Sequence, residues 1–113
     1  MPCIFCQIAS KEISSELLHE DDDLIAFRDI NPQAPVHILV LPKKHITSLN
    51  EMKDEDFPLL GKMAHVAREL ATKEGIVERG FRIAVNCGQE GGQTVGHLHM
   101  HTLGGRQLKG ELG

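Results

Sequence analysis

Gly96-His97-Leu98-His99-Met100-His101-Thr102-Leu103 is the stretch whose reading decides the fold. Three histidines alternate with larger, mostly apolar residues, and successive side chains on a β-strand point to opposite faces. As a strand, the stretch sets His97, His99 and His101 on one face and Leu98, Met100 and Thr102 on the other. On a helix the same histidines would fan around the axis and share no surface. Just upstream, Gly91-Gly92-Gln93-Thr94 offers a flexible backbone whose N–H groups can turn toward an anion. A row of imidazoles beside an anion-holding loop points to chemistry on a phosphate ester or amide.

One metal ion shared by the whole row is disfavoured by reach. The Cα atoms of His97 and His101 lie about 13 Å apart on an extended strand. Each side chain reaches roughly 4.5 Å and a Zn–N bond adds only ~2.1 Å, so three could meet one ion only at full stretch. Two of them, or one with ligands from elsewhere, could bind metal easily.

The neighbouring segments read as support for that row. Val36–Leu41 (VHILVL) is apolar on both faces except for His37, which predicts a central strand covered on both sides. Glu16–Glu20 and Leu24–Ile30 read as strands joined by a turn at Asp21-Asp22-Asp23, a solvated charge run. Two prolines in Asn31–Pro35 break the second of these. Phe81–Cys87 is a fourth strand and His97–Leu103 the fifth, with the glycine-rich loop Gly88–Thr94 between them. One long helix is expected from about Asp54 to Glu74, acidic in its first turn and stopped by Gly75. Its apolar face, Phe57, Leu60, Ala64, Ala67 and Ala71 widened by Leu59, Met63, Val66 and Leu70, is broad enough to serve a sheet and a second surface. Pro2–Ser10 holds Ile4, Phe5 and Ile8 at helical spacing, a short amphipathic helix. His65 falls on the polar side of the long helix and His19 beside the acidic turn, both read as structural. Strands in hairpin order with one long helix make the chain α+β with a five-stranded antiparallel sheet.

The chain of 113 residues reads as one domain, 1–113, with net charge −4, which argues against a basic nucleic-acid-binding surface. No apolar run is long enough to span a membrane and no basic-then-apolar leader is present, so the expectation is a cytoplasmic protein without nucleic-acid or membrane partners. Three cysteines do not suggest a disulfide framework.

The glycine loop lacks the G-x-x-x-x-G-K-[ST] order of a Walker loop. Followed directly by His-x-His-x-His, it would hold phosphate oxygens where an imidazole reaches phosphorus. A histidine with an unperturbed pKa of about 6.5 is mostly a free base near pH 7. Its attack would form a phosphohistidine, with loop amides and neighbouring imidazoles stabilising the developing charge.

His97-Leu98-His99-Met100-His101-Thr102-Leu103 resembles the signature of the histidine-triad family, His-φ-His-φ-His-φ-φ. Phe27–His37, Leu41–Ile46, Asn86 and Gly91–Thr94 are similar to its Hint branch, the nucleoside phosphoramidate hydrolases. The resemblance implies a histidine-triad fold and hydrolysis of a P–N or mixed-anhydride bond at the α-phosphate of a purine nucleotide. It implies His99 as nucleophile, His101 at the phosphate and leaving group, His97 as orienting residue, and His37 completing the set. It places Asn86, Gly92, Gln93 and Thr94 at phosphate-contacting positions and Asp29 at the ribose hydroxyls. Ile4, Phe5, Ile8, Phe27 and Ile30 would line the base slot, although core packing explains these apolar residues nearly as well. It also implies a homodimer, paired through the long helix and a neighbouring strand into one continuous sheet. The tail Leu108–Gly113 lacks the tryptophan that ends well-known eukaryotic members, which in turn lack a Cys-x-x-Cys pair.

Cys3-Ile4-Phe5-Cys6 is a common zinc half-site, and no thioredoxin-like βαβ context accompanies it. His45 and His97 match positions that bind zinc in cysteine-bearing relatives. The expectation is a structural zinc on Cys3, Cys6, His45 and His97, with no cofactor needed for catalysis. A different class of function uses the same residues: a nucleotide-binding adaptor or sensor dimer with vestigial hydrolysis. Turnover on a fluorogenic adenosine phosphoramidate separates the two.

Overall fold

The computed structural model describes residues 3–112. In chain order its elements are α1 (Ile4–Ala9), β1 (Leu17–Glu20), β2 (Leu24–Arg28), β3 (Val36–Pro42), α2 (Pro58–Lys73), β4 (Phe81–Ala84) and β5 (Met100–Gly104). Short 3-10 turns at Leu49–Glu51 and Asp54–Asp56 precede α2. The strands form one antiparallel sheet in the order β1-β2-β3-β5-β4. This is the expected α+β architecture.

β3 is central, and all seven of its residues are buried, as its two-sided apolar pattern requires. The period of two sorts the core into two layers. Leu24, Ala26, Val36, Ile38, Val40, Leu98 and Met100 pack against Met63, Val66, Ala67, Leu70 and Ala71 of α2. Ile25, Phe27, Leu39 and Leu41 face the other way, onto Phe5 and Ile8 of α1. One sheet face therefore carries the long helix, and the other carries the short helix and the histidines.

Several boundaries differ from the sequence reading. The α-helix starts at Pro58, where a residue with no N–H fits the first helical position, and the acidic run Asp54–Asp56 forms a 3-10 turn ahead of it. Its C-terminus is a Schellman motif: Gly75 at φ 74 with Gly75 N–H to Thr72 O (3.1 Å) and Ile76 N–H to Ala71 O (3.1 Å). β2 ends at Arg28, before the Asn31–Pro35 loop, and β4 ends at Ala84, so Val85–Cys87 belong to the loop. β5 begins at Met100 rather than His97. With Met100 opposite Val40, Leu98 would fall opposite Pro42, which has no N–H to extend the ladder. The Leu98 N–H goes to Ile46 O instead, at 2.7 Å.

Met63 is fully buried and Val66 nearly so beneath the chain's own sheet, so neither is free to lie at a dimer seam. His65 is exposed 3.7 Å from Glu69, and His19 lies 2.7 Å from the Asp21 carboxylate, the structural places expected of both. Among the described residues no helix is long and apolar enough to cross a membrane.

Thr102 lies on the face of β5 opposite His101, fully buried, and its hydroxyl has no hydrogen-bond partner among the described residues. Leaving such a group unpaired costs about 1–3 kcal/mol. Thr102→Val is therefore expected to raise stability by about 1 kcal/mol, a few degrees in Tm, with unchanged turnover. A lower Tm in thermal melts would show that the hydroxyl is bonded after all.

Candidate active site

A neutral imidazole has one donor and one acceptor nitrogen, so a partner of known polarity fixes its tautomer. Backbone groups do this for three of the four central histidines.

His99 donates Nδ1–H to His97 O at 2.7 Å. Its Nε2 is left with a lone pair, the arrangement an in-line nucleophile needs. The ring is held edge-on by Phe5 (centroids 5.2 Å, 87°) and by His101 (4.9 Å, 66°). His37, across from β5 on β3, accepts the Gln33 N–H at Nδ1 (3.0 Å). Its proton therefore sits on Nε2, which donates to His101 Nδ1 at 2.9 Å. That in turn places the His101 proton on Nε2. Burial, followed by the positive charge His99 and His37 would carry, pushes the His101 pKa down to about 4. Burial likewise lowers His37, against the opposing pull of Asp29. His37 and His101 are thus held as neutral imidazoles near pH 7, and the hydrogen bonds leave one free lone pair on His99 and one free donor on His101.

His97 is fully buried and turns away from this group. Its Nε2–H donates to Pro42 O at 2.8 Å, so its Nδ1 lone pair faces Cys3 Sγ (3.4 Å) and Cys6 Sγ (3.5 Å). Cys6 Sγ also lies 3.2 Å from His45 Nδ1. The four ligand atoms of Cys3, Cys6, His45 and His97 lie within 4.8 Å of one another. Tetrahedral zinc with two sulfurs and two nitrogens sets its ligands about 3.3–3.8 Å apart, so donor set and spacing both fit. The Pro42 carbonyl is the outer partner that a metal-binding histidine requires. Burial, then the neighbouring Cys3 thiol, pushes Cys6 up to about 11, a preference for the thiol that a dication would reverse.

Asp29, His37 and His101 are a second trio with ligand atoms within 4.8 Å. Here the tautomers oppose a metal. The Gln33 N–H obliges His37 to keep its proton on Nε2, the atom facing the other two. Asp29 Oδ2 sits 3.4 Å from that nitrogen, and its Oδ1 accepts the Asn31 N–H at 2.9 Å. His37 and His101 form a hydrogen-bonded pair with the Asp29 carboxylate beside it, and that carboxylate also closes a turn.

In the glycine-rich loop, Gly92 adopts φ 82, a conformation that favours glycine, and Asn86 Nδ2 donates to Gly92 O at 3.4 Å. Thr94 is exposed. Gln93 is fully committed inside the protein. Its Oε1 accepts the Gly88 N–H (3.0 Å), and its Nε2 donates to Thr47 O (2.7 Å) and Val95 O (2.9 Å). Its backbone N–H goes to Gly88 O. In this conformation Gln93 braces the loop and has no donor left for a phosphate. The apolar candidates divide in two. Phe5, Ile8 and Phe27 are core, whereas Ile4 is half-exposed and Ile30 is 90% exposed.

Sequence reasoning missed the backbone partners, Gln33 N–H, Pro42 O and the His97 carbonyl, because any residue type carries these groups. Only the register of β3 against the triad strand could have suggested them.

A family model described as "Scavenger mRNA decapping enzyme C-term binding" matches residues 2–111. The chain is 48% identical over 105 residues to the purine nucleoside phosphoramidase of Escherichia coli (strain K12), covering 93% of this chain and 88% of that protein. It is 47% identical over 102 residues to protein HitA of Neisseria gonorrhoeae, covering 90% and 94%. A HIT family hydrolase from Legionella pneumophila Philadelphia 1 superposes with a TM-score of 0.93 at 47% identity, covering 96% of this chain and 97% of that one. A histidine triad protein from Clostridium difficile gives 0.95 at 46% identity, covering 99% and 97%.

Proposed function

We propose, from the premise that this chain belongs to the histidine-triad family in its Hint-like branch and is a hydrolase of that type, that it cleaves purine nucleoside phosphoramidates or acyl-nucleotidylates at the α-phosphate through a nucleotidyl-histidine intermediate. The observation that supports this reading best is the 2.7 Å hydrogen bond from His99 Nδ1–H to His97 O, which leaves Nε2 unprotonated.

In the first half-reaction His99 Nε2 bonds to phosphorus as the P–N or P–O bond to the leaving group breaks. His99 keeps its Nδ1 proton, so the intermediate is a phosphoimidazolium whose positive charge rests on the His97 carbonyl and is readily displaced. The His101 Nε2–H donates to the phosphate or to the departing atom. An amine takes its proton from the His101 Nε2–H, which solvent restores, and a proton is given back when water attacks phosphorus and restores neutral His99. His97 orients His99 through its carbonyl, and His37 orients His101.

For the nucleotide, Asn86, Gly92 and Thr94 stand at the phosphate side, with Gln93 acting as their brace. The Asp29 carboxylate is offered to the ribose hydroxyls. Ile4 and Ile30 form the exposed walls of the base slot, and Phe5, Ile8 and Phe27 form its packed floor. We assign the Cys3, Cys6, His45 and His97 cluster to a structural zinc, which would tie α1 to the triad segment without touching the reacting phosphorus.

A homodimer completes the proposal. β4 is an edge of the sheet, short, with Ile83 exposed, and a second copy pairing there would continue the sheet.

Three measurements test these readings. His99→Ala is expected to abolish phosphoramidate hydrolysis while nucleoside monophosphate binding stays within roughly tenfold, about 1.4 kcal/mol; wild-type turnover would end the covalent mechanism. Ile83→Lys is expected to shift a dimer to monomer in sedimentation, and a wild-type monomer at high micromolar concentration would refute the dimer. Chelation is expected to lower Tm, with activity lost only as structure is lost. Less than about a tenth of an equivalent of zinc in protein purified without chelator would count against the site.

A further inference from the structure

The segment after β5, Gly104-Gly105-Arg106-Gln107, crosses directly over the loop that enters β3. Gly104 pairs with Val36 in the ladder. Gly105, at φ 92, passes so close that a Cβ there would lie 3.0 Å from Pro35 Cβ. The exposed Arg106 then reaches the loop itself. Its Nη2 donates to Gln33 O at 2.9 Å and its Nη1 to Gln107 O at 3.1 Å. Among the described residues the guanidinium has no carboxylate partner; both bonds go to backbone carbonyls.

Gln33 is the residue whose N–H sets the His37 tautomer. It lies in an exposed stretch between two prolines, Pro32 and Pro35, neither of which has an N–H to pin the loop. Within the loop the remaining restraints are local: Gln33 Nε2 to Asn31 O (3.1 Å) and Asn31 N–H to Asp29 Oδ1 (2.9 Å). Arg106 is the contact that ties Gln33 to a distant part of the chain. Charge-assisted hydrogen bonds are about twice as strong as neutral ones, so this contact is suited to holding an exposed loop.

We infer that Arg106 is a positioning residue for the proton chain: it holds Gln33 so that its N–H points at His37 Nδ1, keeping the His37 proton on Nε2 and the His101 proton on the nitrogen that meets the leaving group. Without that restraint the Gln33 N–H leaves His37 part of the time, and His37 then samples both tautomers. With the proton on Nδ1, His37 Nε2 becomes an acceptor, His101 turns its own proton inward to it, and the leaving group loses its donor. The inference rests on the reading of His101 as the leaving-group residue.

Two readouts test it in the full-length protein. The first uses no substrate: in uniformly 15N-labelled protein, the His37 Nδ1 and Nε2 shifts report the tautomer directly. Wild type is expected to show an unprotonated Nδ1 and a protonated Nε2. Arg106→Met, which keeps the aliphatic stem but removes the donors, is expected to shift both signals toward the averaged values of a tautomer mixture. Arg106→Lys, which retains a donor on a long stem, is expected to lie nearer wild type.

The second readout compares leaving groups. Arg106→Met is expected to lower kcat about 5–10-fold for an adenosine phosphoramidate of an alkyl amine, roughly one lost charge-assisted contact, with KM within about twofold. For an acyl-adenylate, whose carboxylate leaves without a proton, kcat is expected to change by less than about twofold. A merely structural role would instead lower Tm and reduce turnover of both substrates alike. Wild-type His37 shifts in folded Arg106→Met, or an equal loss on both substrates, would overturn the inference. His101→Ala measured beside it separates the two proposals. If His101→Ala shows the leaving-group split and Arg106→Met does not, the positioning role fails alone. If His101→Ala shows no split, the role of His101 fails, and the 15N shifts still decide whether Arg106 governs the tautomer.

Discussion

Burying several imidazoles side by side imposes one constraint on everything around them: each ring has a single proton, and each of its nitrogens needs a partner of matching polarity. Charging the rings would relieve the bookkeeping in water, but burial pushes His37, His97 and His101 below their ordinary pKa and keeps them neutral. The protons must then be assigned one by one. Here main-chain groups assign them. The His97 carbonyl takes the His99 proton, the Pro42 carbonyl takes the His97 proton, and the Gln33 amide forbids a proton on His37 Nδ1. The backbone path of the strands and loops flanking the triad is thereby tied to which nitrogen of each ring is free.

The same assignments divide the polar clusters by chemistry. Distances alone would nominate two metal sites, since both clusters gather ligand atoms within 4.8 Å. Tautomers separate them. His97 shows a lone pair to two thiols, and His37 shows a proton to His101 and Asp29. One cluster suits a cation, and the other suits directed hydrogen bonding. A carboxylate 3.4 Å from His37 reinforces the second role, because it favours the protonated edge that Gln33 already enforces.

How far this was legible in the sequence depends on which atoms carry the information. The alternation of His97–Thr102 and the apolar run of β3 gave the sheet, its two layers and the shared face of the histidines, because side-chain type encodes burial. The Cys-x-x-Cys pair and His45 announced a cluster that the fold does assemble. The point where β5 leaves the ladder was encoded as well, in Pro42, but only once the register places Leu98 opposite it. The partners that set the tautomers are peptide groups with no residue signature, so they emerge only from coordinates. Gln93 shows the reverse case: its position predicts a phosphate contact, while its amide is spent on Gly88, Thr47 and Val95. Arg106 belongs to no motif read from the sequence, and what singles it out is the 2.9 Å contact with a residue 73 positions away.

Two supports converge on the His99 ring from opposite sides of the chain, and both start in the Cys/His cluster. His97 contributes its carbonyl to His99 and its Nδ1 to the cysteines. Phe5, between the two cysteines on α1, packs edge-on against His99 and also against His97 at 6.0 Å. α1 is only six residues long, too short to be stable alone, and is held by Phe5 and Ile8 in the core and by the cysteines at its start. A metal closing Cys3, Cys6, His45 and His97 would therefore pin the helix whose Phe5 packs against the His99 ring. The His97 carbonyl is fixed independently by the ring's bond to Pro42, so the His99 tautomer survives without the ion. What such an ion would govern is the rigidity of the wall that Phe5 builds, which is a property of stability rather than of proton placement.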